Sequence, residues 1–124
     1  MKGVLKLNEI RLGNKILHEG KIYTVDAKMM YAFFSGKIDY DFDNFEPIPL
    51  TEEWLIEKMK FHKQNNQIYS IGLKLFISWW NTNSIEIDIN GEVLIINCKY
   101  VHELQNIYFA LTGEELELKV DALQ

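Results

Sequence analysis

The run Ile71–Ile96, IGLKLFISWWNTNSIEIDINGEVLII, decides the fold class. Ile71, Leu73, Leu75, Ile77 and Trp79 share one parity, and Ile85, Ile87 and Ile89 alternate with Glu86 and Asp88. Successive strand side chains point to opposite faces, so a period of two marks strands with one buried face. Asn90-Gly91 between two such runs is a hairpin signal, because both residues tolerate the positive φ of a type I′ turn. A two-residue turn there pairs Ile89 with Glu92, Ile87 with Leu94 and Ile85 with Ile96. The preceding connection follows from register, since a one-residue slip turns every side chain to the other face. A three-residue loop, Asn81 to Asn83, pairs Trp79 with Ile85 and Ile77 with Ile87, whereas an even loop buries serine and lysine. The expectation is a three-stranded antiparallel meander.

The same register places Phe76, Trp80, Val93 and Ile95 on the second face, beside Lys74, Ser78, Glu86 and Asp88. An outward apolar group of this kind is either covered or adhesive. These four residues are the candidate interaction surface. The covering element is the first helix, the N-terminal module, a protein partner or a second subunit.

Outward from the meander, Val101, Leu104, Tyr108 and Leu111 recur at helical spacing, and Gly113 suits the residue after a helix. A helix over about Tyr100 to Thr112 is expected to lie across the sheet. Upstream, Glu46-Pro47-Ile48-Pro49 reads as an extended connector, because proline removes a backbone donor and restricts the residue before it. Thr51 is a good N-cap, Glu52 and Glu53 complement the helix dipole, and Leu50 and Leu55 stand at staple positions. A helix from Glu52 to about Lys60 follows.

The first 50 residues read as short strands between glycine turns: Lys15 to His18, one beginning at Ile22, the apolar run Met29 to Phe34, and Ile38 to Phe42. Close spacing of such strands suggests a small SH3-like barrel. The fold class is therefore α+β: an SH3-like β-module over 1–50, then a helix–meander–helix module over 51–124 packed against it.

The chain has 124 residues, 48% hydrophobic and 25% charged, which suits one compact globular protein. Its net charge of −5 and single arginine, Arg11, disfavour nucleic acid, whose phosphates call for clustered Lys and Arg. Cys98 is the only cysteine, so no intrachain disulfide forms, and a reducing cytoplasmic setting is expected. Met1 to Gly20 is broken by charges and carries no signal-peptide core. The longest apolar stretch, Ile68 to Trp80, is too short to span a bilayer.

Three stretches carry a family resemblance: IRLGN (Ile10–Asn14), EPIPLTEEWL (Glu46–Leu55) and YVHELQNIYFALTGEEL (Tyr100–Leu116). They resemble a family of small proteins encoded by phages and integrated elements of gut anaerobes, a family with no assigned activity. The match covers both ends of the chain and little of its middle. It implies a phage or mobile-element context and supplies no catalytic residue.

Chemical motifs are incomplete. Asp39, Asp41 and Asp43 start like a calcium loop, but Asn44 and Leu50 stand where glycine and a bidentate glutamate belong. They read as a solvated strand face. His18, His62 and His102 lie in no zinc spacing, and in the nearest approach to H-E-x-x-H Asn106 replaces the second histidine. Cys98 four residues before His102 could form a thiol–imidazole pair, yet it follows an apolar strand and reads as a small buried hydrophobe. Lys58, Lys60, His62 and Lys63 form a basic cluster that either complements a helix C-terminus or, with Tyr69 and Trp80, makes a nucleic-acid platform.

These readings lead to a non-enzymatic accessory protein without metal or cofactor, acting through a protein partner or self-association. The alternative is a nucleic-acid-associated module using the small barrel and Lys58, Lys60 and Lys63. No membrane association and no small-molecule substrate are indicated.

Overall fold

The structure is a computed structural model that describes residues 5–35, 45–63, 68–71, 75–79, 84–89, 91–116 and 118. The fold is α+β and divides into two compact units. Of the described residues, those up to Pro49 and Tyr100–Glu115 form the first unit. Those of Leu50–Lys99, with Leu116 and Leu118, form the second. The C-terminal helix thus belongs with the N-terminal residues and not with a 51–124 module.

In the first unit, β1 (Lys15–His18) and β2 (Lys21–Thr24) form an antiparallel hairpin with Ile16 opposite Tyr23. Glu19 and Gly20 make the connection with φ of 51° and 78°. The expected third strand, Met29 to Phe34, is instead part of α1 (Ala27–Ser35). An unbroken apolar run fits either period, and the start signal decides. Asp26 accepts from the Met29 N–H at 2.8 Å through Oδ1, an N-cap bond. Met29, Ala32 and Phe33 then turn inward at helical spacing. The SH3-like closure drew on this segment as a strand, and the Ile38–Phe42 strand lies outside the described residues.

The proline connector contributes β3 (Glu46–Pro47), which pairs with β1 in a sheet ordered β2-β1-β3. Proline is tolerated there because β3 is an edge strand, where a missing N–H need not break a ladder. Leu5, Ile10, Ile16, Val25, Met29, Phe33 and Phe45 make the core of this unit. The last helix, α2 (Val101–Thr112), runs as expected. The Tyr100 N–H donates to Glu103 Oε1 at 3.1 Å at its start, and Gly113 at φ 77° ends it.

In the second unit Thr51 caps a helical segment through Oγ1, which accepts from the Trp54 N–H at 3.3 Å. The segment continues as a π-helical turn, Trp54–Lys58, closed by the Met59 N–H on the Trp54 carbonyl at 2.8 Å. Leu50 and Leu55, the expected staple residues, are both buried.

The sheet that follows has five strands, not three: β4 (His62–Lys63), β5 (Ile68–Ile71), β6 (Leu75–Trp79), β7 (Ser84–Ile89) and β8 (Glu92–Asn97), in sequential order. Every expected pairing of β6, β7 and β8 is present, including Ile77 with Ile87 and Ile89 with Glu92. The extra strands escaped the parity reading for a geometric reason. Ile71 pairs with Leu75 across a three-residue connection, and an odd connection preserves parity. The alternation therefore continues through a turn as if through one strand.

Gly91 has φ of 86°, and a Cβ built there meets nothing within 4 Å. Gly91→Ala therefore tests backbone conformation alone. It is expected to lower stability by about 1–2 kcal/mol, the usual cost of a left-handed non-glycine residue. A urea midpoint equal to that of the parent chain would refute this.

Candidate functional site

Two places among the described residues bear on function. One is the outer strand of the five-stranded sheet. Ile77, Ile85 and Ile87 bury one sheet face, each about 1% exposed. On the other face the ladder sets out two rows, Phe76–Asp88–Val93 and Ser78–Glu86–Ile95. Val93 is 53% exposed and Ile95 76%, while Phe76 is 38% exposed. Ser78, Glu86 and Asp88, between these residues, are half-buried. Of the expected surface residues, the structure brings Val93 and Ile95 together on β8. Asp88 separates Phe76 from them, and Trp80 lies outside the described residues. On the other face of β8, Leu94 is 39% exposed. The strand is thus apolar and wet on both sides.

The second place is a polar cluster inside the first unit. Asn14 is fully buried, and its Oδ1 accepts from the Arg11 N–H at 2.8 Å while its Nδ2 donates to Asn106 Oδ1 at 2.8 Å. Asn106 Nδ2 donates to the Glu9 carbonyl at 2.8 Å. Gln105, 2% exposed, accepts from the Lys15 N–H at 2.8 Å and donates to the Gly13 carbonyl at 2.9 Å. Arg11 donates to Asn106 Oδ1 at 3.0 Å, pairs with Glu115 and lies 4.4 Å above the Phe109 ring. One helix face thus satisfies the backbone polar groups of the Glu9–Lys15 loop, which burial would otherwise leave unpaired.

Sequence periodicity missed this cluster because it scores Asn and Gln as outward. No local signal could have found it, since the partners in the Glu9–Lys15 loop and on α2 lie 90 or more positions apart. The arrangement contains no nucleophile with a base. Its chemistry is that of a latch.

His102 sits on the same helix, 1% exposed and stacked on Tyr100 with ring centroids 5.9 Å apart. Neither ring nitrogen has a hydrogen-bond partner. Glu9 Oε1 lies 3.8 Å from Nε2, beyond hydrogen-bond reach but close enough for Coulomb attraction. Burial pushes the His102 pKa below the ordinary histidine value, against the opposing pull of Glu103 and Glu9.

The other candidates resolve as follows. His18 stacks on Phe45 at 4.7 Å, and His62 is exposed on β4. Cys98 is fully buried. Lys63 pairs with Glu52 at 2.7 Å, so part of the basic cluster is neutralised by its own unit. Lys60 is exposed and Lys58 half-buried. Asp39, Asp41 and Asp43 lie outside the described residues. Among the described residues no group of His, Cys, Asp and Glu could hold a metal ion. No described helix is long and apolar enough to cross a membrane. No protein-family model, curated protein or solved structure matches the chain.

Proposed function

We propose that the protein is a non-enzymatic accessory factor that works by binding protein, and that it does so through β8. The observation that carries this reading is the exposure of Val93 and Ile95, 53% and 76%, on a strand that is also apolar on its other face. Isolated surface hydrophobes need no explanation, but a consecutive run on a sheet edge is a pairing template. A phage or mobile-element setting is supported by the resemblance of the IRLGN and Tyr100–Leu116 stretches.

Nucleic-acid binding is the weaker reading. Arg11, the single arginine, is committed to Asn106, Glu115 and Phe109, and Lys63 to Glu52. What remains of the basic cluster sits in a chain of net charge −5.

A photo-crosslinking amino acid at position 95, compared with one at exposed Lys21 in cells of the native host, tests the reading. A defined protein adduct identified by mass from position 95 but not from position 21 is the expected result. Nucleic-acid adducts, or equal labelling from both positions, would overturn it.

A further inference from the structure

We infer that the partner of β8 is a second copy of the same strand, joined edge to edge about a two-fold axis that passes through Ile95; this rests on the protein-binding role proposed above. The two edges of the sheet differ in kind. β4 is two residues long, with exposed His62 and Lys63, and is blunted in the manner that keeps an edge unpaired. β8 spans Glu92–Asn97 in unbroken register with β7, without proline, lysine or bulge. Its centre, Val93-Leu94-Ile95-Ile96, is the continuous apolar run expected of a strand inside a sheet and covered on both faces. Among the described strands it lies at the edge.

The register specifies which backbone groups are free. Ile89 and Glu92 flank a two-residue turn, so they form a hydrogen-bonded pair, and such pairs alternate along an antiparallel ladder. Glu92, Leu94 and Ile96 therefore direct their N–H and C=O toward β7, and Val93, Ile95 and Asn97 direct theirs outward. Antiparallel pairing with Ile95 opposite Ile95 sets Val93 opposite Asn97 and forms about six interchain hydrogen bonds. It also sets Leu94 opposite Ile96, so apolar cross-strand pairs form on both faces at once.

Orientation follows from the strand itself. An antiparallel pair is the more stable per residue, and centred on Ile95 it sets apolar residues of β8 opposite apolar residues on each face. A two-fold axis makes the contact self-complementary and closed, so the product is a dimer and not a fibre.

Sedimentation of the full chain at micromolar concentration tests the proposal. The parent chain is expected to be a dimer, and Ile95→Lys is expected to weaken association at least a hundredfold with an unchanged circular dichroism spectrum. Val93→Pro removes an outward N–H without touching the β7 ladder and should do the same. Ile95→Cys, whose thiols meet across the axis, should form a disulfide-linked dimer under mild oxidation, while buried Cys98 does not compete. A parent chain that stays monomeric overturns the self-pairing. A dimer that survives Ile95→Lys, and whose Ile95→Cys variant does not cross-link, overturns it equally. If the monomeric chain still gives a foreign-protein adduct from position 95, self-pairing fails while the protein-binding role stands. If neither dimer nor adduct appears, both fail.

Discussion

Replacing Gln105 by leucine is expected to lower the stability of the protein by about 2–5 kcal/mol, although leucine is the better core residue by hydrophobicity. The amide of Gln105 is the partner of two backbone groups, the Lys15 N–H at 2.8 Å and the Gly13 carbonyl at 2.9 Å. Leucine fills the volume and leaves both unpaired, at a typical cost of about 1–3 kcal/mol for each buried group. Typical domains are stable by about 5–15 kcal/mol, so the loss is a large fraction of the whole. Urea unfolding followed by circular dichroism measures it. Gln105→Glu is the informative companion. Glutamate keeps the acceptor for Lys15 but sets a carboxylate against the Gly13 carbonyl, so its deficit should narrow as acid returns a donor hydrogen. A Gln105→Leu midpoint within error of the parent would show that the cluster is incidental to the fold.

The second expected effect is a loss of stability on mild acidification, traceable to His102. Above about pH 6.5, the ordinary histidine pKa, the ring is neutral in both the folded and unfolded chain and contributes no pH dependence. Burial depresses the folded-state pKa below that value. As pH falls below about 6.5, the unfolded chain takes up a proton that the folded chain refuses. Stability therefore falls over that interval, and the decline from this group ends once the folded-state pKa is reached. His102→Phe keeps a flat ring against Tyr100 and removes two nitrogens that have no hydrogen-bond partner. The variant should be no less stable than the parent at pH 7.5 and should lack the decline that begins just below pH 6.5. Equal slopes for the two proteins in that interval would assign the acid sensitivity elsewhere.

Both effects arise in a cluster that periodicity does not reveal. The partners Asn14 and Asn106 stand 92 positions apart, and nothing local to either announces the other. A polar residue on a helix is scored as outward until a loop with unsatisfied backbone groups is laid against it. The candidate surface was more legible. Val93 and Ile95 follow from register alone, but register could not tell whether the remaining chain covers them. The separation of Phe76 from Val93 by Asp88 depends on the order of strands across the sheet.

Local chemistry was enough for β6, β7 and β8, the Thr51 cap and α2, because alternation, turn propensity and capping act within a few residues. The tertiary structure decided the rest. It fixed Ala27–Ser35 as a helix by burying Met29 and Phe33 in the first unit's core, since an unbroken apolar run satisfies both periods and the local Asp26 cap only starts the turn. It divided the expected first strand of the meander into β5 and β6, since an odd connection leaves parity untouched. It placed α2 with the N-terminal residues, because the backbone groups of the Glu9–Lys15 loop need the polar face that this helix carries. And among the described strands it left β8 at an edge, because strand order is a property that no single strand encodes.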